Sequence, residues 1–292
     1  MGSSYLCNLV IPGAAKSGTS SLHDILDRHP EISMATTKEP QHFSFPERYA
    51  RGAGYHNTLF ARTDSIRFYG ESSQCYMVHE HALERIRNDL VSPKAILLLR
   101  HPVERLISHY RWNYKLGVEK QSLMTAIEER GEDVSYAPDW QVRKYRERGG
   151  YLAFSRYSRW VPLWRDVLGD ENVLVVLTEE LRANQDEAAQ RCFRFLGLDE
   201  YNAGESLRTN TTEKTMAMVP KPISFVARVI PSRIKQMPSY IKMVSLVRSS
   251  LTTPPPPAPD EAESALITSA LAEDIAFYEA LASELNSSPA RC

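Results

Sequence analysis

The chain has 292 residues, long enough to bury one sizeable core, and 42% hydrophobic with 24% charged residues is a globular composition. Its 35 Lys and Arg against 36 Asp and Glu leave a formal net charge of −1, which excludes a global pull toward nucleic acid or a membrane surface. Four scattered cysteines, Cys7, Cys75, Cys192 and Cys292, have neither metal-site spacing nor the pattern of a disulfide framework, so no metal site is expected.

No basic segment followed by an apolar one opens the chain, and no stretch approaches about 18 uncharged apolar residues. Neither a signal peptide nor a transmembrane helix is therefore expected, and a soluble protein of a reducing cytoplasm is the reading that follows.

Residues 5–11 form an apolar run of strand length. The small-residue loop Gly13-Ala14-Ala15-Lys16-Ser17-Gly18-Thr19-Ser20-Ser21 follows. Residues 20–28 then read as a helix, with Leu22, Ile25 and Leu26 on one face. Strand, small-residue loop and helix N-terminus together hold anions: free backbone N–H groups point at the ligand, and the helix dipole favours negative charge. Lys16 adds a mobile cation, and Ser17, Thr19 and Ser20 add hydroxyls. This is not a Walker A loop, which needs lysine directly after its second glycine and directly before Ser/Thr. Here Lys16 precedes Gly18, and Thr19 follows it.

Residues 32–35 read as a short strand, leading into Thr37-Lys38-Glu39-Pro40-Gln41-His42-Phe43. Residues 45–62 read as short helix and loop, and 66–70 as a strand that ends at Glu71-Ser72-Ser73. A helix is expected over 79–90. The apolar run 94–100 has the signature of a central parallel strand covered on both faces. Residues 103–112 form a helix with Pro102 at its first turn, and 123–130 a shorter one. Residues 135–150 are polar and irregular, 151–168 helical and aromatic-rich, 172–177 a second buried strand, and 184–196 a helix closed by Gly197.

Strands alternating with helices define an α/β fold with a central parallel sheet flanked by helices. Ligands of such sheets bind beyond the carboxyl ends of the strands, where the first loop, Glu71 and Arg100 can converge. From Lys214 to Pro259 there is no acidic residue, while Lys214, Lys221, Arg228, Arg233, Lys235, Lys242 and Arg248 accumulate. A Pro-rich linker over 252–259 separates the domain, 1–251, from an acidic C-terminal helix in 260–292. That helix is expected to pack on the domain and to pair with most of the basic stretch.

A second stretch, Arg100-His101-Pro102-Val103-Glu104-Arg105-Leu106-Ile107-Ser108-His109-Tyr110, sets an arginine at a strand end and a hydroxyl one to two turns inside the next helix. That pair suits a phosphate. Taken alone, the stretch reads equally well as a helix with a capping Arg100 and a solvated Arg105.

Lys16-Ser17-Gly18-Thr19-Ser20-Ser21-Leu22 followed by Arg100-x-Pro-x-x-Arg105-x-x-Ser108-x-Tyr110 resembles the two nucleotide-binding elements of sulfotransferases that use 3′-phosphoadenosine 5′-phosphosulfate (PAPS). The closest flavour is the carbohydrate branch typified by heparan sulfate sulfotransferases and their bacterial relatives. The resemblance implies a P-loop-type three-layer sandwich. It puts Ala15, Lys16, Ser17, Gly18, Thr19 and Ser20 on the 5′-phosphosulfate, and Arg100 and Ser108 on the 3′-phosphate. Lys38-Glu39-Pro40-Gln41-His42-Phe43 and Gly70-Glu71-Ser72-Ser73-Gln74-Cys75-Tyr76 resemble acceptor-side loops of the family, and the likeness extends over about residues 5 to 200.

The resemblance implies in-line displacement at sulfur by an acceptor hydroxyl or amine, with adenosine 3′,5′-bisphosphate leaving and protein cations standing in for a metal. Lys16 is assigned to the bridging oxygen. Glu39 is the first choice for the general base and His42 the second. Lys38, Glu71 and Ser72 fall on the substrate side. Some relatives carry lysine where Ser72 stands, so that cation is either missing here or supplied by Lys38. The third nucleotide contact falls on Arg208 and Lys214. The expected acceptor is a glycan or a small natural product. Two rival classes are a P-loop kinase-like phosphotransferase and a non-catalytic nucleotide or polyanion binder. The displaced lysine and the lack of a magnesium-binding aspartate at a strand end argue against the first. His101, His109 and the stripe Tyr151, Tyr157, Trp160 and Trp164 are expected to be structural.

Overall fold

The computed structural model describes residues 4–139, 144–202 and 256–287. Its centre is a parallel sheet of β1 (Leu9–Ile11), β2 (Ile32–Met34), β3 (Phe68–Ser72), β4 (Lys94–Leu99) and, after the hairpin strands β5 (Val134–Asp139) and β6 (Lys144–Gly149), β7 (Val173–Leu177), in the order β2-β3-β1-β4-β7. β1 and β4 sit inside the sheet because their residues are apolar on both faces. Val10, Ala95, Leu97 and Leu99 enter one core, and Leu9, Ile11, Ile96 and Leu98 the other.

Helix α1 (Thr19–Leu26) covers the second core through Leu22, Ile25 and Leu26. Along the chain follow α2 (Pro46–Tyr49), α3 (Gly52–His56), α4 (Glu80–Asp89), α5 (Pro102–Lys115), α6 (Leu123–Arg130), α7 (Tyr157–Leu168), α8 (Thr178–Ala183) and α9 (Gln185–Phe195). α9 joins α1 on its face, while α4 and α7 cover the opposite face with Leu83, Ile86, Trp160 and Trp164. The three layers expected from the sequence are present.

Three segments differ from expectation. Residues 135–150 are not irregular but form the antiparallel hairpin β5–β6. The ladder there is made by backbone groups in a polar segment that contains Pro138, so no alternation of apolar residues announces it. Residues 151–168 do not form one helix: a 3-10 turn, Ala153–Ser155, precedes α7, and Arg156 between them has φ −73° and ψ 64°. The C-terminal helix is two helices, α10 (Glu261–Ala270) and α11 (Ala272–Ser287). They break at Leu271, which is buried with Leu106, Tyr110 and Tyr151. Asp260 and Glu263 form a capping box at the start of α10.

α11 packs on α5 and α7. The basic stretch 214–248, together with Arg208 and Lys214, lies outside the described residues. No helix among the described residues is long and apolar enough to cross a membrane.

Candidate active site

The first loop leaves β1 and is clamped to β4. Ala14 N–H donates to the Leu98 carbonyl at 2.7 Å, and Leu98 N–H donates to the Gly13 carbonyl at 2.8 Å. A Cβ on Gly13 would stand 3.0 Å from Met77 Cβ at a φ of 152°, so a side chain there would be crowded and strained. Gly18, at φ 97°, is the residue ahead of α1, and that left-handed geometry is why glycine stands there. The first-turn N–H groups of Thr19 and Ser20 precede the intrahelical ladder, and no acid occupies that turn. These are the donors that can meet an anion.

Ser17 differs from the sequence expectation. It is fully buried. Its N–H turns back to the Ala14 carbonyl at 3.3 Å, and its own carbonyl lies 2.6 Å from Thr178 Oγ1. The same hydroxyl lies 2.8 Å from the Leu99 carbonyl. The Ser17 backbone therefore shapes the loop, while its buried Oγ has no hydrogen-bond partner among the described residues. Ala15 is buried as well, so only its backbone can contribute.

The two sequence motifs meet at Lys16. Its ammonium lies 4.1 Å above the centre of the Trp112 ring, and Trp112 stands one turn beyond Ser108 on α5. Lys115 approaches the same ring at 5.5 Å, so α5 offers an aromatic rest for two cations. Arg100 directly follows β4 and gives Nε and Nη2 to Glu104 Oε2 at 3.1 and 2.8 Å. These bonds from Arg100 lower the Glu104 pKa. Glu104 is more than half exposed, so an entering phosphate could displace it at little cost. Ser108 is half-buried.

Arg105 is not solvated. It is completely buried, donates to Ser155 Oγ at 2.6 Å and to the Tyr151 carbonyl, and lies 3.3 Å from His109 Nδ1. Burial lowers its pKa to about 10. Burial, with Arg105 and Lys16 nearby, pulls His109 well down and keeps it neutral.

On the acceptor side, Lys38 reaches the first loop and donates to Ser20 Oγ. Glu39 N–H donates to the Ser72 carbonyl at 3.0 Å, and the Glu39 side chain is half-buried. His23, one turn into α1, has Nδ1 2.8 Å from Ser72 Oγ. Burial lowers its pKa and Lys38 adds to the effect, while Asp24, Asp27 and Glu71 oppose it. Lys38, Ser20, His23, Ser72 and Glu39 thus gather beside Lys16's loop. His23 was not singled out in the sequence because a lone histidine on a helix carries no pattern, and its partner is 49 residues away.

Two other expected acceptor-side groups turn inward. The Glu71 carboxylate is completely buried: Oε1 accepts from the Tyr76 hydroxyl at 2.9 Å and lies 3.1 Å from His56 Nε2, and Oε2 accepts from Ser73 Oγ at 3.0 Å. It braces the loop after β3 from behind. His42 is 1% exposed, with Nε2 2.9 Å from the Tyr5 hydroxyl and its ring 4.6 Å from that of His56. Burial, helped by His56 and three arginines, pushes its pKa down to about 3. It is a core histidine, not a base on the crevice.

The α/β sandwich carries a small-residue loop with first-turn N–H groups at the end of β1 and an arginine just beyond the end of β4. Residues 7–221 match the sulfotransferase domain family, and the chain belongs to it. Over 101 residues it is 36% identical to heparan sulfate glucosamine 3-O-sulfotransferase 6 of Homo sapiens, covering 35% of this chain and 29% of that one. Over 111 residues it is 33% identical to the membrane-associated sulfotransferase kil1 of Dictyostelium discoideum, covering 37% of this chain and 23% of that one. The matches span about a quarter of these relatives' lengths. A sulfotransferase structure from Alicyclobacillus acidocaldarius superposes with TM-score 0.59 at 27% identity, covering 70% of this chain and 87% of that one.

Proposed function

We propose that the protein transfers the sulfuryl group of PAPS to a hydroxyl or amine of a glycan or small natural-product acceptor. The contact of Lys16 with Trp112 carries this reading, because it brings the first loop against the helix that bears Ser108 and follows Arg100. The N–H groups of Thr19 and Ser20 and the Lys16 ammonium bind the phosphosulfate end. Arg100 leaves Glu104 to hold the 3′-phosphate together with Ser108. Lys16 meets the charge that develops on the leaving oxygen, where a preorganised cation contributes most. Lys38 adds a second cation from the acceptor side, and Glu39 takes the acceptor proton. A sulfuryl group carries less charge than a phosphoryl group, so these side chains suffice for the displacement. A cytoplasmic location belongs to the same reading; it is supported by the buried free thiols of Cys7, Cys75 and Cys192, which a reducing compartment preserves.

A thermal-shift comparison tests the donor. Adenosine 3′,5′-bisphosphate without magnesium should raise the melting temperature. Stabilisation only by ATP with magnesium would overturn the PAPS reading. Lys16→Ala should lower labelled-sulfate transfer from PAPS by roughly a hundredfold or more. A screen of glycan and small-molecule acceptors with the same label identifies the substrate class.

A further inference from the structure

α10 and α11 lie beyond residue 221, where the family match ends, yet their polar contacts run to the donor site. Asp274 on α11 is 1% exposed and accepts from Ser158 N–H at 3.1 Å, Ser158 Oγ at 2.8 Å and Arg156 Nη1 at 3.1 Å. It supplies the N-terminal cap that Arg156, the residue ahead of α7, does not provide. One turn further along α11, the Tyr278 hydroxyl donates to the Glu179 carboxylate in the first turn of α8. Thr178, the neighbour of Glu179, sets its hydroxyl between the carbonyls of Ser17 and Leu99. The Tyr278 ring also packs against His101 at 5.9 Å and Tyr157 at 6.4 Å. Tyr157 in turn donates to the Arg100 carbonyl at 3.0 Å. Burial and Glu179 raise the Tyr278 pKa, so the phenol stays a donor at any working pH.

We propose that Tyr278 is a positioning residue of the donor site, acting through Glu179 and Thr178 on the first loop and through Tyr157 on Arg100. The C-terminal hairpin is then a brace for the phosphate-binding groups and not an appended acidic tail. A residue that only filled space would need no hydroxyl here, and an acidic tail would not bury Asp274 against a helix start. The proposal rests on the reading that this crevice takes the phosphates of the donor.

The test uses the full chain, with calorimetric titration of adenosine 3′,5′-bisphosphate and steady-state kinetics in PAPS. Tyr278→Phe keeps the ring and removes one donor. The bisphosphate Kd and the KM for PAPS should rise roughly three- to tenfold while kcat changes less than about twofold. Glu179→Ala should reproduce that loss, Glu179→Gln should retain most of the affinity, and Tyr278→Phe with Glu179→Ala should be no worse than either alone. A lower melting temperature with unchanged donor constants, or additive losses in the double variant, overturns the proposal. A wild-type chain that fails to bind the bisphosphate overturns the donor reading and this proposal with it. Binding that Tyr278→Phe leaves untouched overturns the positioning role alone.

Discussion

Glu39 and His42 lie three positions apart in the sequence and differ in the access a general base needs. A base must come within hydrogen-bond reach of the proton it takes. His42 is buried against Tyr5, Phe43 and His56, and its low pKa follows from that burial. The Glu39 side chain keeps partial access beside the Lys38–Ser20 contact. Glu39→Gln should therefore lower kcat by roughly a hundredfold or more, with little change in the KM for PAPS. His42→Gln should lower the melting temperature while kcat/KM per folded molecule stays within about threefold. Equal activity losses in the two variants would remove Glu39 from its assigned role.

Among the elements, α5 has the most to hold in place, since Arg100, Ser108 and Trp112 all depend on its seat. Arg105 anchors it by tying the helix to Ser155 and to the Tyr151 carbonyl, with no carboxylate partner among the described residues. Removing the guanidinium leaves buried acceptors unpaired, which typically costs about 1–3 kcal/mol each. Arg105→Met should thus destabilise the fold by roughly 2–4 kcal/mol in denaturant titration and weaken bisphosphate binding through the displaced helix. The arginine itself is visible in the sequence, but its burial is not, because Ser155 and Tyr151 approach from a segment about fifty residues away. The parallel strands were legible for the opposite reason: runs such as Ala95 to Leu99 encode burial on both faces locally. The β5–β6 hairpin and the break at Leu271 were not, since one rests on backbone pairing of polar residues and the other on a distant core pocket. The candidate site divides the same way. Lys16, Arg100 and Lys38 stand at loops and strand ends that spacing reveals. The inward turn of Glu71 depends on His56 and Tyr76, and the contribution of Tyr278 on a helix outside the matched domain.

Across the whole molecule, a formal net charge of −1 keeps self-repulsion small at pH 7, and the buried histidines add a pH dependence of their own. His23, His42, His79 and His109 all have lowered pKa values, with burial the largest cause in each case. Their common effect has a definite sign. The unfolded chain binds these protons near pH 6.5, whereas folded His42 holds off protonation to about 3 and folded His79 to about 4. Between those limits the unfolded state carries more protons, so stability falls as pH drops below about 6.5 and is fully present above it. Each such histidine adds a slope of up to roughly 1.4 kcal/mol per pH unit across its window. Denaturant midpoints measured from pH 7 to pH 4.5 should decline steadily in the wild type. Replacing His42 by Gln should flatten that decline by about one proton's worth while lowering the midpoint at pH 7, because the Tyr5 contact is perturbed. A variant with a lower midpoint but an undiminished slope would show that His42 is protonated in the folded state, and would place the acid sensitivity in the remaining buried histidines.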